Sequence, residues 1–184
     1  RDGNAMALKL PRTIRLDPSD TFVYSRAAEP GEWAVTGSFL FFGADVQGLS
    51  GKERQAFRAG FLGVDSFGWS TLVVVTEASA EERAAVVEKL AEQLVARCGA
   101  PGLEAARPAA EEEVAFAQSL CDHPPNTLLA LHRAGEEAGV RETFRTLHRK
   151  VSRLDPATAF RVIEIDEEND PVEEVDIRAL AGRD

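Results

Sequence analysis

Ser79 and Glu82 stand three residues apart ahead of an apolar stripe, Val87, Leu90, Leu94 and Cys98, which recurs every three or four residues until Gly99. At a helix start, a serine hydroxyl and a glutamate carboxylate at that spacing satisfy two backbone N–H groups reciprocally. A glycine just past the end takes the left-handed conformation that closes the last turn. The pattern predicts a long amphipathic helix between Ser79 and Gly99. Directly before it, Ser70 to Thr76 contains four consecutive apolar residues, as expected of a strand covered on both faces. A chain that must pack such a helix beside such a strand is constrained to helices layered on a sheet.

The remaining elements follow from turn chemistry and periodicity. Thr13 to Leu16 and Phe22 to Tyr24 read as an opening hairpin around Asp17-Pro18-Ser19-Asp20. After the turn at Glu29-Pro30-Gly31, the β-branched and aromatic residues of Trp33 to Phe42 suggest a third strand. Ser50 with Glu53 forms a second capping box, predicting a helix to about Gly60 with Phe57 and Phe61 on its buried side. Pro108 suits a first-turn position, which places Glu111, Glu112 and Glu113 at the positive end of a third helix. Val114, Ala117 and Cys121 form the buried stripe of that helix, and Pro124-Pro125 end it. Thr127 to Arg133 and Val140 to Leu147 flank a glycine-containing loop and read as a hairpin. Val140, Phe144, Leu147 and Val151 also fall at helical spacing, so 140–151 stays open between strand and helix. Phe160 to Ile165 is expected as a last strand, with a short terminal turn near Ile177 to Leu180.

These elements make an α+β fold: a single mixed or antiparallel sheet of about six or seven strands, with three helices packed mainly on one face. The 184 residues suit one domain over 6–184. Arg1 to Ala5 joins no pattern and reads as vector residue ahead of a start at Met6, while 166–184 reads as an acidic C-terminal segment. A formal net charge of −10 repels phosphate backbones and anionic membrane surfaces, so neither nucleic acid nor membrane is expected as a partner. Two cysteines are too few for a disulfide framework, and a cytoplasmic location is expected.

Gly37 to Trp69 holds seven of the chain's fourteen glycines and six of its ten phenylalanines. Large rings beside permissive backbone suggest a shaped surface, with Phe39, Phe41, Phe42, Phe61, Phe67 and Trp69 as the candidate interaction residues. Arg141, Arg145 and Arg149 share one face under either periodicity and form the candidate anion site. The competing account is internal compensation by the eight acidic residues between Glu164 and Asp176. Cys98, Cys121 and His123 lack the spacing of a zinc knuckle, so no metal and no cofactor is expected. Ser66 lies between Gly63 and Gly68 but without the G-x-S-x-G order of a nucleophile elbow, and Gly60-Phe61-Leu62-Gly63 places apolar residues where a nucleic-acid clamp would be polar. No catalytic residue is assigned.

Leu49 to Phe57, Gly60 to Gly63 and Ser66 to Leu72, with the opening Lys9 to Asp17, resemble a family of small bacterial proteins classed only as a domain of unknown function. The resemblance extends over nearly the whole chain from Met6, implies a single-domain bacterial protein, and brings no activity with it. The sequence thus points first to a non-catalytic accessory or protein-interaction protein, its partner another protein or a second copy. The alternative is a binding domain or enzyme for a small anionic metabolite such as a phosphate, carboxylate or acyl-CoA.

Overall fold

The computed structural model describes residues 7–136 and 139–149, together with the short strands at 165–166 and 175–176. Instead of the expected single sheet with three helices, the chain builds two antiparallel sheets and four α-helices among the described residues. The larger sheet has the order β1 (Lys9–Ile14), β5 (Leu72–Glu77), β6 (Leu128–Glu136), β7 (Gly139–Arg149). Two short segments, β8 (Ile165–Asp166) and β9 (Val175–Asp176), pair with opposite ends of β7. The smaller sheet is β2 (Ala34–Val35), β3 (Phe61–Gly63), β4 (Trp69–Ser70). A bridge between Arg12 and Trp33 stitches the two sheets at β1.

Helix α3 (Ala80–Cys98) forms as its pattern demands, with the Ser79–Glu82 capping box complete and Gly99 left-handed at φ 74°. Its buried residues include Val86, Leu90, Ala91 and Leu94, whereas Cys98 is exposed. Helix α2 (Gly51–Ala59) also forms, but the Ser50 side chain makes no cap bond there. In α4 (Leu103–Ser119), Pro108 lies inside the helix, so Glu111 to Glu113 sit mid-helix and not in the first turn. The predicted buried stripe of Val114, Ala117 and Cys121 is present, with Cys121 just beyond the helix end.

Three sequence expectations give way to local chemistry. Phe22 to Tyr24 is not a strand: α1 (Ser19–Val23) forms there, with Ser19 N donating to Asp17 Oδ1 at 2.8 Å and the buried Asp20 carboxylate accepting from the Thr71 hydroxyl at 2.7 Å. Strand β1 therefore pairs with β5 and with no adjacent hairpin partner. Trp33 to Phe42 is strand only over β2, because Gly37 turns left-handed at φ 78° and a 3-10 turn follows over Ser38–Phe41. A Cβ at Gly37 would lie 2.7 Å from Leu62 Cβ and 2.9 Å from the Trp69 ring, so a side chain is excluded by space as well as by backbone. Strand β5 alternates, with Val73 and Val75 buried and Leu72, Val74 and Thr76 half-exposed, so it is covered on one face only. The expected strand at 160–164 and the turn at 177–180 lie outside the described residues.

The open choice over 140–151 resolves to a strand through residue 149. Beta6 and β7 pair in register from Leu128↔Leu147 to Glu136↔Gly139. Leu129, Leu131 and Arg133 of β6 point inward with Glu142, Phe144 and Thr146 of β7. Alternation sends Arg141, Thr143 and Arg145 to the opposite side. Helices α2 and α4 both meet the inward face, and α3 packs along α4. No helix among the described residues is long and apolar enough to cross a membrane.

Replacing Ser79 by alanine is expected to cost about 1 kcal/mol in urea unfolding, since its hydroxyl accepts from Glu82 N. Ser50→Ala, which removes no cap bond, should change stability by less than about 0.5 kcal/mol. Equal costs at the two positions would contradict this difference between the helix starts.

Candidate functional site

Arg133 is the largest fully buried side chain among the described residues, and its guanidinium gathers the segments that carry the aromatic residues. Its Nε donates to Ser38 Oγ at 2.7 Å and to Glu142 Oε1 at 3.1 Å. One terminal nitrogen donates to the carbonyls of Ala56, Phe57 and Gly60 at 3.3, 3.0 and 2.9 Å, and the other to the Thr36 carbonyl. Three of these acceptors are carbonyls at the C-terminal end of α2, where the helix dipole is negative, and that of Ala56 also accepts from Gly60 N at 3.0 Å. The Phe41 ring lies 5.5 Å from the guanidinium carbon. Glu142, directly across the ladder from Arg133, is equally buried, and its Oε2 has no hydrogen-bond partner among the described residues.

The electrostatics around this pair are strained by burial. Desolvation pulls the Arg133 guanidinium and the Glu142 carboxyl toward their neutral forms, and their mutual attraction opposes it. Guanidinium holds its proton through such environments, so Arg133 remains cationic. Glu113, on the side of α4 that carries Ala110 and Ala117, is pushed up to about 7, first by burial and then by the nearby Glu142 and Glu112 carboxylates. Tyr24, whose hydroxyl donates to Thr71 Oγ1 at 2.8 Å because the Thr71 proton goes to Asp20, is raised to about 12, mainly by burial.

Around the guanidinium the rings form a graded set. Phe61 is wholly within the core, 6.5 Å from Phe144, so it belongs to packing and not to a surface. Phe41 stacks on Trp69 at 5.5 Å and meets Phe57 edge-on at 5.1 Å. Phe39 and Phe67 pack half-buried against the core, and Arg97 sits over the Phe67 ring. Phe42 alone of the six candidates is exposed, at 53%. Phe22 on α1, which the sequence placed in a strand, is exposed at 71%.

Arg141 and Arg145 lie on the outward face of β7, away from this cluster. Arg141 pairs with Glu136 at 2.8 Å. Arg149 ends β7, and its side chain lies outside the described residues. The arginine row and the aromatic segment are thus separated by the thickness of the sheet. Ser66 Oγ accepts from Gly68 N at 3.0 Å while Ser66 N donates to Glu32 Oε1 at 2.9 Å, the geometry of a tight turn. Gly60 closes α2, and a Cβ there would meet both the Ala56 carbonyl and the Trp69 ring at 2.8 Å. Cys98 is exposed and Cys121 buried, and among the described residues no three His, Cys, Asp or Glu side chains converge as for a metal.

Sequence reasoning missed Arg133, Glu142 and Glu113. The signal was the strand period itself: Leu129, Leu131 and Arg133 alternate, as do Glu142, Phe144 and Thr146, so a strand reading of both arms carries two opposite charges inward at facing positions. Replacing Arg133 by methionine is expected to cost about 3–5 kcal/mol, because Glu142 would be left buried without its counter-charge. Arg133→Met with Glu142→Leu should recover part of that loss in a denaturant-unfolding cycle. A double variant less stable than Arg133→Met alone would show that the charge pair is not the source of the cost.

Residues 6–166 match the model of a family of unknown function, DUF6505. No curated protein and no solved structure matches the chain.

Proposed function

We propose that this chain, which belongs to the DUF6505 family, is a non-catalytic accessory or protein-interaction protein of the bacterial cytoplasm that meets another protein, or a second copy of itself, at the edge around α2. The observation that carries this reading is the exposure of Phe22 and Phe42 on the two segments that bracket α2. Single exposed hydrophobics are ordinary on protein surfaces. These two are mounted differently. Phe42 follows Phe41, whose ring is held between Phe57 and Trp69, and Gly43 at φ 75° turns the chain directly after it. Phe22 lies two residues from Tyr24, whose hydroxyl is fixed to Thr71 at 2.8 Å. A ring on a rigid mount loses little freedom on binding, which favours it as an interface anchor. Lys52, Arg54 and Arg58 are exposed on α2 beside one exposed carboxylate, Glu53, a local excess of positive charge in a chain of net charge −10. Two free thiols suit a reducing compartment.

A second reading takes Arg141, Arg145 and Arg149 as a clamp on a small anionic metabolite, in a binding domain or an enzyme. In its favour, Arg141 and Arg145 share the exposed face of β7. The Arg141–Glu136 ion pair and the distance of the aromatic segment from that face give it less support.

Affinity capture from bacterial cytoplasm, with the intact chain and a Phe22→Ser/Phe42→Ser variant as baits, tests the leading reading. The double variant should keep its melting temperature, since both rings are exposed, and should retain at least about tenfold less partner. Equal recovery by both baits, or no difference in self-association by sedimentation when no other protein is captured, would overturn it.

A further inference from the structure

We propose that the exposed side of α2 docks an acidic segment of another protein, whose carboxylates pair with Lys52, Arg54 and Arg58 and whose apolar side chains meet Phe22 and Phe42. This rests on the interface proposed around α2 and adds the chemistry of its partner. Ala56 and Phe57 turn one side of the helix into the core. Arg54 and Arg58 stand one turn apart on the other side, both exposed, and Lys52 is exposed in the first turn. Phe57 meets Phe41 edge-on at 5.1 Å, which holds the 3-10 turn against α2, and Phe42 follows that turn directly. Helix α1, which carries Phe22, also packs on α2. Exposed rings and exposed cations are therefore mounted on adjoining elements.

The second observation is that these cations lack counter-charges. On α3, α4 and the β6–β7 hairpin, exposed arginines are held by carboxylates: Arg83 by Glu111 at 2.7 Å, Arg107 by Glu88 at 2.9 Å and Arg141 by Glu136 at 2.8 Å. Among the described residues, no carboxylate lies within ion-pair distance of Lys52, Arg54 or Arg58. Arg54 donates through Nε to the Leu49 carbonyl at 2.8 Å, and its two terminal nitrogens stay available. Like charges one turn apart on a helix repel, and nothing in the packing of α2 calls for that pair. In a chain of 31 acidic and 21 basic residues, three cations left without a carboxylate mark a surface whose counter-charge comes from outside the chain.

The same charges indicate the class of partner. Arg54 and Arg58 present two planar forks of donors one turn apart, each able to hold a carboxylate through two parallel N–H bonds. A nucleic acid or an anionic bilayer spreads its charge widely and meets the field of the whole molecule, whose net charge is −10. A short protein segment engages the strip alone. Phe22 is 71% and Phe42 53% exposed, so apolar side chains between the acids gain burial on docking. The acids then govern the rate of encounter and its salt dependence, and the rings govern the lifetime of the complex.

The test measures fluorescence anisotropy of a labelled peptide of glutamates, with leucine at every fourth position, against the full chain. The same peptide with lysine for glutamate is the control. The acidic peptide should bind, and should weaken at least about tenfold between about 50 and 500 mM salt. Arg54→Gln/Arg58→Gln, with an unchanged melting temperature, should bind it at least about fivefold more weakly. Phe22→Ser/Phe42→Ser should also weaken it but keep the salt dependence. No binding of the acidic peptide, equal binding by the arginine variant, or equal binding of the lysine peptide would overturn the proposal. So would flotation of the native chain with phosphatidylglycerol–phosphatidylcholine vesicles that Arg54→Gln/Arg58→Gln abolishes, since the strip would then be a membrane contact. A captured protein lost by Phe22→Ser/Phe42→Ser but retained by Arg54→Gln/Arg58→Gln would leave the interface around α2 standing and remove only its acidic partner.

Discussion

A guanidinium taken wholly out of water loses several kcal/mol of hydration, and only dense hydrogen bonding and a counter-charge can offset that loss. Arg133 has both. Its donors reach a hydroxyl on the 3-10 turn, a carboxylate on the facing strand, the carbonyl of Thr36, and three carbonyls at the end of α2. A single side chain on β6 thus ties to the facing strand three pieces of backbone that share no ladder with it, Thr36, the 3-10 turn and the end of α2. Helix α2 shows the dependence most clearly. Its buried residues are Ala56 and Phe57 alone, too little apolar surface to hold a short charged helix in place. The cation at its C-terminal carbonyls supplies what the apolar face does not.

The same centre explains why the aromatic segment has a graded surface and not a uniform one. Thr36, Ser38, the end of α2 and Gly60 are drawn in toward Arg133, and Phe41 follows them to lie beside the guanidinium and on Trp69. The chain reverses at Gly43 immediately afterwards, so the next ring, Phe42, is turned outward. Glu142 is held by the same contact with only one oxygen satisfied. An exposed ring and an unsatisfied carboxylate oxygen are therefore consequences of one buried charge, seen from its two sides.

What the sequence reveals of this arrangement depends on how local the cause is. The helix from Ser79 to Gly99 could be read because its cap, stripe and stop lie within the segment itself. The inward stripe of Val114, Ala117 and Cys121 was legible for the same reason, although Pro108 misplaced the helix start: proline is tolerated here one turn further in than its usual position. Phe22 to Tyr24 failed because its helix depends on Asp20 reaching Thr71, fifty-one residues away. Trp33 to Phe42 failed because strand propensity ends where Gly37 must pass under Leu62 and Trp69, contacts that no local pattern encodes. Arg141, Arg145 and Arg149 stand out in the sequence by their visible spacing of four. Arg133 carries the centre of the fold and stood in the sequence as the end of a strand.

Buried ion pairs can often be exchanged for apolar residues of similar volume with little loss, because the attraction barely exceeds the desolvation it requires. That exchange is less open here. A methionine and a leucine at positions 133 and 142 would remove both charges, yet the carbonyls of Thr36, Phe57 and Gly60 would remain, each of them now drawn to Arg133, while that of Ala56 would keep its bond from Gly60 N. An unsatisfied buried carbonyl costs about 1–3 kcal/mol, and an apolar side chain offers none of them a donor. The charge is therefore held less by its partner carboxylate than by the backbone around it. Glu142 balances the cation, while the carbonyls define where it sits, and through them the cation sets the position of α2, the 3-10 turn and the rings they carry.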